Sequence, residues 1–262
     1  MKLRTTTIAL ACLLSAGAML ASFASRAQAS LPPAIQALKA HGMTVAGHFS
    51  APGGLTGYAV KYQGQALAVY VTPDGKHAIA GTMFDSQGDN LSSGPLHRLI
   101  TYPQNRKAWK KLKKSNWIGY GSDKADTVVY LFIDPNCPYC HEFLKEARPW
   151  VQAGKVQIRN VLVAVLRPSS LPKAAAILSA KNPAAALMHN EKRYGSGGIQ
   201  AAQHVSGKVR TRVEANNRLM YSLGLQATPV IYYRDAKGHV ASTQGLPPAG
   251  RLAAIMGSPR PR

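Results

Sequence analysis

Long hydrophobic runs are missing from this chain, and their absence argues against a transmembrane helix. The longest apolar stretch extends from Ile8 to Ala21, which is shorter than the roughly 18 residues that such a helix needs. Lys2 and Arg4 precede this stretch, and Ala27-Gln28-Ala29 follows it as an A-x-A cleavage site. The pattern predicts a secretory signal peptide over residues 1–29, an exported mature chain and no stable insertion into a membrane.

Cysteine is also rare. The chain has three cysteines, Cys12, Cys137 and Cys140, and Cys12 lies within the predicted signal peptide. An exported protein built on a disulfide scaffold carries several spaced cysteines, so the sequence argues against such a scaffold. The chain is long enough to be held together by a hydrophobic core instead. We therefore expect the remaining pair of cysteines to have a chemical role.

Acidic residues are few: the chain has 32 Lys and Arg against 11 Asp and Glu. Removal of residues 1–29 leaves 29 basic against 11 acidic residues, a net charge of +18. Such a charge favours acidic partners. We nevertheless expect no nucleic-acid partner, because an exported protein rarely meets nucleic acid and no nucleic-acid-binding module is recognisable. Charge alone does not distinguish substrate steering from a solvated surface, so the purpose of the basicity stays open.

The segment Cys137-Pro138-Tyr139-Cys140-His141 matches two unrelated chemistries, a C-x-x-C redox couple and a C-x-x-C-H site for covalent haem. Haem would also require a distal axial ligand, for which Met188 or Met220 are candidates, and a pocket around the macrocycle. Structural zinc would require two more ligands, and the sequence has no second C-x-x-C and no close histidine pair. The redox interpretation is favoured, with no cofactor and no metal.

The residues before this motif predict a small mixed domain. Leu31 to Ala40 is typical of a short helix, and strand-like runs follow at Gly57 to Gln63, Ala66 to Thr72 and His77 to Met83. The last two runs flank the turn Pro73-Asp74-Gly75 and predict a hairpin. So small a domain would be marginal alone and would gain from dimerising. A lysine-rich helix from Asn105 to Trp117 is then the candidate connector to the rest of the chain.

From Asp126 onward strands and helices alternate. Thr127 to Ile133 predicts a strand, Pro138 to Ala153 a helix and Val156 to Leu166 a second strand, which is the order of a βαβ unit. Further helices are predicted at Pro172 to Lys181, Pro183 to Tyr194 and Thr211 to Leu223, with a strand at Val230 to Arg234.

The cysteines lie where the first of these strands gives way to the helix. Cys137 is then near the N-cap, and Pro138 occupies the first helical position, which proline favours. Helix-terminal amides and the helix dipole stabilise a thiolate at Cys137 and lower its pKa. Cys140, three residues later, can close a disulfide across one helical turn. We therefore predict that Cys137 attacks, that Cys140 resolves, and that the two form the redox disulfide.

Thr228-Pro229 precedes the strand at Val230 and lies some 90 residues after the motif. Most X-Pro bonds are trans. In this chain, however, a C-x-x-C motif follows directly after a strand. In that context we predict that the Thr228-Pro229 bond is cis and that it brings backbone polar groups beside the cysteines.

At this point the chain resembles the DsbC and DsbG family of periplasmic thiol:disulfide interchange proteins, and most closely its DsbG branch. The resemblance covers essentially the whole mature chain. It rests on the segments Ala51 to Leu55, Leu67 to Ile79, Phe132 to Cys140, Ala147 to Val151, Ala227 to Tyr233 and Gly245 to Pro247.

The resemblance implies an α+β protein with a cystatin-like dimerisation domain at residues 30–93, a helical linker at 94–121 and a thioredoxin-like catalytic domain with a helical insertion at 122–262. It implies a periplasmic homodimer with the redox sites facing a shared cleft. Its substrates would be exported proteins with non-native disulfides or oxidised cysteines, including sulfenic acids. A membrane reductant of the DsbD type would keep the cysteines reduced, while Thr228 and Pro229 would orient the incoming chain.

Two alternatives remain within this interpretation. One is a net disulfide donor of the DsbA type, and the other is a holdase chaperone with secondary redox activity. The chain also departs from the family at two points. Its acids are too few to predict the acidic cleft associated with DsbG, and His141 is either a residue that tunes the thiols or an ordinary solvent-facing helix residue.

Overall fold

The computed structural model describes residues 30–261. The predicted signal peptide at residues 1–29, including Cys12, lies outside the described residues. Within the described part of the chain, no helix combines the length and apolarity that crossing a membrane requires.

The first sheet has four antiparallel strands in the order β1-β2-β3-β4. It follows helix α1 (Pro33–Ala40), and its strands are β1 (Thr44–Ser50), β2 (Thr56–Tyr62), β3 (Gln65–Val71) and β4 (Ala78–Ala80). The predicted hairpin is confirmed, because β3 pairs with β4. Its turn is held by Asp74, whose Oδ1 accepts from the Lys76 amide over 3.0 Å, and by Gly75, which has a φ of 71°.

Strand β1 was not predicted. Its burial alternates along the strand, but Gly47 and His48 weaken the strand signal in the sequence, and its pairing with β2 shifts register between Val45 and Gly47. Its place in the sheet depends on Phe49, whose ring packs against Gly57 of β2. A Cβ atom on Gly57 would lie 2.2 Å from that ring, so only glycine fits there.

Three helical segments lead to the second sheet: α2 (Ser93–Leu96), a π-helical turn (His97–Thr101) and α3 (Tyr102–Leu112). The helix predicted from Asn105 to Trp117 therefore starts earlier and ends at Leu112. Ser115 Oγ donates to the Leu112 carbonyl over 2.8 Å, and Trp117 begins strand β5 (Trp117–Tyr120). The error has a physical cause, because the Trp117 ring packs under the Arg159 guanidinium, 4.6 Å away, on the neighbouring strand.

The second sheet has five strands in the order β5-β7-β6-β8-β9. After β5 these are β6 (Thr127–Ile133), β7 (Val156–Leu162), β8 (Val230–Arg234) and β9 (Val240–Gln244). Strands β6 and β7 are parallel and are joined through α4 (Pro138–Gln152), which confirms the predicted βαβ unit. The other pairs are antiparallel. Strand β7 ends four residues before its predicted end, and β9 was not predicted.

Further helices flank this sheet: α5 (Ser170–Ser179), α6 (Pro183–Lys192), α7 (Gly207–Ser222) and α8 (Ala249–Ile255). The predicted helices near Pro172, Pro183 and Thr211 are confirmed with shifted ends. The two sheets and their helices make an α+β fold, as predicted. Strand β5 belongs to the second sheet, so the segment assigned to a helical linker, residues 94–121, ends in a strand.

Strand β6 runs through the middle of this core. Leu131 and Ile133 pack with α4, α5 and α8 on one side, whereas Tyr130 and Phe132 pack with α3 and the end of α7 on the other. A strand covered on both faces is apolar at consecutive positions, which explains the unbroken run from Val128 to Ile133. The rigid strand ends four residues before Cys137 and thereby fixes the start of α4.

Candidate active site

Cys137 caps the N-terminus of α4. Its backbone is extended, with φ −85° and ψ 112°, and Pro138 is the first helical residue. The amide of Cys140 donates to Cys137 Sγ over 3.2 Å. The predicted position at the strand-to-helix junction is thus observed, and one of the helix-terminal amides points at the sulfur.

The residues of the motif differ sharply in exposure. Cys137 and Cys140 are free thiols and are 2% and 1% exposed. Tyr139 between them in the sequence is 59% exposed, so the motif presents an aromatic side chain to solvent while both thiols are buried. Cys140 lies beneath Cys137, where its Sγ is 4.0 Å from the carbonyl oxygen of Phe132.

The pKa of Cys137 is lowered from an ordinary 9.0 to about 7. The main cause is a hydrogen bond from the Cys140 thiol; the Thr228 side chain and the Cys140 amide also lower this pKa. Burial and the nearby charge of Asp134 oppose the shift. Because a thiolate is the nucleophilic form of cysteine, a substantial fraction of Cys137 is ready to attack at neutral pH.

Cys140 is affected in the opposite direction. Burial raises its pKa well above 9.0, and its interaction with Cys137 adds to this increase. One cysteine is therefore readily ionised while the other holds its proton. This asymmetry is what an attacking and a resolving thiol require.

Thr228 and Pro229 immediately precede β8, and Thr228 lies close to the same pair of thiols. The bond between them is cis, as predicted, and the Pro229 carbonyl accepts from the Gly245 amide over 2.9 Å. Thr228 is buried, and its hydroxyl has no hydrogen-bond partner at an acceptable distance and angle among residues 30–261. The Thr228 side chain nevertheless lies close enough to both thiols to lower the pKa of each.

A buried carboxylate organises the loop before Cys137. Asp134 Oδ1 accepts from the Asn136 amide and the Ser170 hydroxyl, at 2.9 and 2.8 Å. Its Oδ2 accepts from the amides of Val165 and Leu166, at 2.8 and 3.1 Å. The loop that presents Cys137 is therefore tied to the segments that follow β7.

The residue immediately before Cys137 is held by the helical insertion. Asn136 accepts at Oδ1 from Lys173 Nζ over 2.8 Å and donates to the Ser170 hydroxyl over 3.0 Å. Its carbonyl oxygen accepts from the Tyr194 hydroxyl over 3.0 Å. Asn190 of α6 donates to the Pro135 carbonyl over 3.1 Å.

His141 also contacts this insertion. Its Nδ1 lies 3.2 Å from Oε2 of Glu191, and its ring stacks on Tyr194 with centroids 4.8 Å apart and planes 13° from parallel. The side chain is 23% exposed, so His141 is not an ordinary solvent-facing helix residue. Sequence reasoning missed Glu191 and Tyr194; the one available signal was a single acid in an otherwise alanine-rich predicted helix.

Between residues 30 and 261, no group of three or more His, Cys, Asp or Glu side chains is arranged to hold a metal ion. The arrangement around Cys137 consists instead of thiols, hydroxyls and amides, which suits exchange between sulfur atoms.

Two family models match the chain. Residues 120–258 match a thioredoxin-like domain, and residues 22–93 match the N-terminal domain of disulfide bond isomerase proteins. The thiol:disulfide interchange protein DsbG of Pseudomonas aeruginosa is 44% identical over 227 residues, covering 87% of this chain and 89% of that protein. DsbG of Escherichia coli strain K12 is 40% identical over 228 residues, covering 87% and 92%.

A solved structure shares the fold at lower similarity. The catalytic domain of Proteus mirabilis ScsC superposes with a TM-score of 0.50 and 19% identity, covering 60% of this chain and 97% of that domain.

Proposed function

Because this chain belongs to the DsbG family of thiol:disulfide interchange proteins, we propose that Cys137 and Cys140 are its redox couple and that it reduces or isomerises wrong disulfides in exported proteins of the periplasm. Thiol–disulfide oxidoreductase activity is the activity of this family, and the thioredoxin-like domain carries it. The observation that supports the assignment is that the pKa values of the two thiols shift in opposite directions. The pKa of Cys137 is lowered to about 7, whereas the pKa of Cys140 is raised.

The reaction follows from this asymmetry. The Cys137 thiolate attacks one sulfur of a substrate disulfide, which forms a mixed disulfide and releases the other substrate sulfur as a thiolate. In isomerisation, that released thiolate attacks a second substrate disulfide and frees a new substrate thiolate. This new thiolate attacks the substrate sulfur of the mixed disulfide, which forms a substrate disulfide and releases Cys137 as a thiolate. In reduction, Cys140 gives up its proton and attacks Cys137 Sγ, which leaves the substrate with two thiols and the protein with a Cys137–Cys140 disulfide.

The same first step serves a sulfenic acid. Attack of the Cys137 thiolate on the sulfenic sulfur forms a mixed disulfide and expels hydroxide, which leaves as water after protonation. Cys140 then releases the substrate as a free thiol. Either reductive route ends with an oxidised pair, so a membrane reductant of the DsbD type would have to supply two electrons per cycle.

The pKa of Cys137 bears on the choice between reduction and net oxidation. Strong disulfide donors stabilise the attacking thiolate so far that its pKa is about 3.5, whereas that of thioredoxin is about 7. A thiolate that is stabilised less makes the couple less oxidising. The lowered pKa of Cys137, about 7, is close to that of thioredoxin and so is compatible with reduction or isomerisation; the redox state of the two cysteines in the cell separates these reactions from disulfide donation.

Exposed apolar side chains around the site support polypeptide substrates. Tyr139, Leu166 and Leu246 are 59%, 43% and 40% exposed. The Leu166 amide is bound by Asp134, and Leu246 follows Gly245, whose amide is bound by Pro229. Three large apolar side chains on segments beside the thiols suit an unfolded chain, and they also favour holdase activity as a second function.

A homodimer is part of the proposal. The first sheet buries a modest core around Phe49 and Tyr70, and Ile79 and Phe84 remain 66% and 60% exposed. A second copy that covered these side chains would stabilise so small a domain. The dimerisation domain at residues 30–93 and the connector from residue 94 belong to the same proposal. The catalytic domain, however, begins with β5 (Trp117–Tyr120) rather than at residue 122, because this strand pairs with β7.

The test is the redox state of the two cysteines in the cell, measured by rapid acid quenching and alkylation. Mostly reduced Cys137 and Cys140 are expected, and mostly oxidised cysteines would instead identify a donor of disulfides. Purified protein should also reactivate a substrate with scrambled disulfides. A variant with both Cys137→Ala and Cys140→Ala separates holdase activity from redox activity. Holdase activity should survive these substitutions, whereas thiol–disulfide exchange should be lost.

A further inference from the structure

An open cavity of about 900 Å³ lies at the end of the second sheet where β6 begins and β8 ends. Its wall includes Val128 of β6, Arg234 of β8, Trp109 of α3 and Ala254 of α8. Cys137 follows the other end of β6, and a strand of seven residues is roughly 20 Å long. The cavity is therefore separate from the site that holds the thiols.

Two arginines reach this cavity from the strands on either side of β6. Arg159 of β7 pairs with Tyr130 of β6, and Tyr130 pairs with Tyr232 of β8. Because side chains alternate along a strand, Arg234 is on the same face of the sheet as Tyr232. The backbones of the two arginines are two strand spacings apart, roughly 10 Å, and both side chains line the cavity. Their guanidinium groups therefore flank the space above the start of β6.

The guanidinium of Arg159 is held in place by its neighbours. Its Nε donates to Gln157 Oε1 and its Nη1 donates to the Tyr130 hydroxyl, each over 2.8 Å. It lies over the rings of Trp117 and Tyr130, 4.6 and 5.5 Å from their centroids. These contacts leave Nη2 without an acceptor among residues 30–261. A fixed guanidinium with free donors is preorganised to bind an oxyanion.

Arg234 is also held over an aromatic ring. Its Nη1 donates to the Gly238 carbonyl over 2.6 Å, and its guanidinium is 5.2 Å from the ring centroid of Trp109. Among residues 30–261, neither Arg234 nor Arg159 forms an ion pair with a carboxylate. Two guanidinium groups that share a cavity and lack a counter-charge favour an anionic ligand.

The two carboxylates on the cavity wall do not neutralise this charge. Asp235 Oδ1 accepts from the amides of Lys237 and His239, at 2.9 and 2.8 Å, so Asp235 is bound within its own turn. Asp126 is exposed, so solvent screens its charge. Three cationic side chains line the cavity against these two acids, which leaves an excess of one positive charge. This excess matches a ligand with a single negative charge.

Two polar groups of the wall lack partners within the fold. Trp109 is 6% exposed, and neither its indole N–H nor the hydroxyl of Ser258 has a hydrogen-bond partner among residues 30–261. Both residues line the cavity. Buried polar groups are rarely left unpaired, so these two are further reason to expect a ligand that brings hydrogen-bond acceptors.

We propose that the cavity binds a small organic acid, with its carboxylate between Arg159 and Arg234 and its apolar part against Trp109, Val128 and Ala254. The volume of about 900 Å³ suits an organic ligand better than an inorganic anion. A planar carboxylate matches the fork of a guanidinium, and its single charge matches the excess on the wall. The site goes beyond the proposed redox function and requires neither thiol.

The test is titration of the isotopically labelled mature protein with phenylacetate at neutral pH, followed by NMR of the indole N–H resonances. The chain has three tryptophans, and the resonance that is missing from Trp109→Phe identifies Trp109. We expect this resonance to shift saturably, with a dissociation constant of roughly 1 mM or below. Phenylacetamide has the same shape without the charge and should bind at least about tenfold more weakly.

The arginine variants test the site directly. Arg159→Gln and Arg234→Gln should each weaken phenylacetate binding at least about tenfold. Arg234 is exposed, so its substitution should not disturb folding, and its result decides the question if Arg159→Gln is unstable. Arg210→Gln removes the same charge from an exposed arginine of α7 that does not line the cavity. It is the matched control and should bind as wild type.

Three results would overturn the inference: no saturable shift of the Trp109 resonance, equal binding of phenylacetate and phenylacetamide, or arginine variants that bind as wild type. The variant with both Cys137→Ala and Cys140→Ala should bind phenylacetate as tightly as wild type. Binding in the absence of thiol exchange would therefore leave the cavity site intact and count only against the redox role. Exchange without phenylacetate binding would count only against the cavity site.

Discussion

The main-chain amide of Cys140 donates a hydrogen bond to Sγ of Cys137 over 3.2 Å. Cys140 therefore contacts Cys137 through two groups, its amide and its thiol, and the thiol is the main group that lowers the pKa of Cys137. Both contacts favour negative charge on Cys137. Cys140 itself is buried beneath and resists ionisation, so the two thiols are not interchangeable.

Serine substitutions should separate the two roles. Cys137→Ser removes the nucleophile, and we expect loss of thiol exchange by at least about 10³-fold, since a hydroxyl is not ionised near neutral pH. Cys140→Ser leaves attack intact but prevents resolution, so mixed disulfides should accumulate. Non-reducing electrophoresis of each variant with a scrambled substrate measures this difference. Equal absence of trapped complexes in both variants would contradict the assigned roles.

The two thiols also predict how the stability of the reduced protein depends on pH. The folded pKa of Cys137 is depressed to about 7 from 9.0, so its stabilising contribution is complete above pH 9 and is lost as pH falls through 7. The folded pKa of Cys140 is raised above 9.0, so its contribution is present below pH 9 and is lost as pH rises beyond it.

Together the two thiols should contribute most to the free energy of unfolding near pH 9. Chemical denaturation under reducing conditions from pH 6 to 10 measures it, and subtraction of the Cys137→Ala, Cys140→Ala profile isolates it. A thiol contribution that falls between pH 7 and 9 would contradict the ionisation assigned to Cys137.

The junction of β6 and α4 could be predicted from sequence because its signals are local. A β-branched and aromatic run ends at Ile133, and Pro138 is a residue that favours the first turn of a helix. Strands β1 and β5 could not be predicted as easily. They lie at the edges of their sheets, and their pairing depends on partners such as Arg159 that are distant in the sequence.

The residues around the thiols could likewise be predicted from the sequence only in part. Cys137, Cys140, Thr228 and Pro229 were singled out because each belongs to a recognisable pattern, and their roles in the reaction remain predictions. Glu191 lies 50 residues after its partner His141, and no spacing rule connects two side chains so far apart. Such contacts depend on how α6 packs beside α4, which only tertiary structure supplies.

Thr228 offers a test of the threonine hydroxyl beside the thiols. Thr228→Val preserves the shape but removes the hydroxyl that lowers the pKa of Cys137. We expect a higher Cys137 pKa and an alkylation rate at pH 7 reduced roughly twofold to fivefold. Stability should change little, because the hydroxyl has no complete hydrogen bond within residues 30–261. Thr228→Ser keeps the hydroxyl and should react as wild type; a valine variant that does so too would exclude a role for this group.

Asp134 affects stability and reactivity in opposite directions. Each of its two carboxylate oxygens accepts two hydrogen bonds. In Asp134→Asn one oxygen is replaced by an NH₂ group, which cannot accept, so two donors lose their acceptor in either orientation of the amide. We expect the free energy of unfolding to fall by about 3 kcal/mol, since each buried donor left unpaired costs about 1–3 kcal/mol.

The same substitution should activate the thiol. The charge of Asp134 raises the pKa of Cys137, so its removal should bring that pKa below about 7 and increase alkylation at pH 6. Denaturation measures the first effect and the pH dependence of alkylation the second, with the exposed Asp123→Asn as a control expected to change stability by less than about 0.5 kcal/mol. If Asp134→Asn destabilised the fold but left the Cys137 midpoint unchanged, Asp134 would only hold the loop. A lowered midpoint would mean that Asp134 makes Cys137 less readily ionised while its four hydrogen bonds hold the loop that presents this thiol.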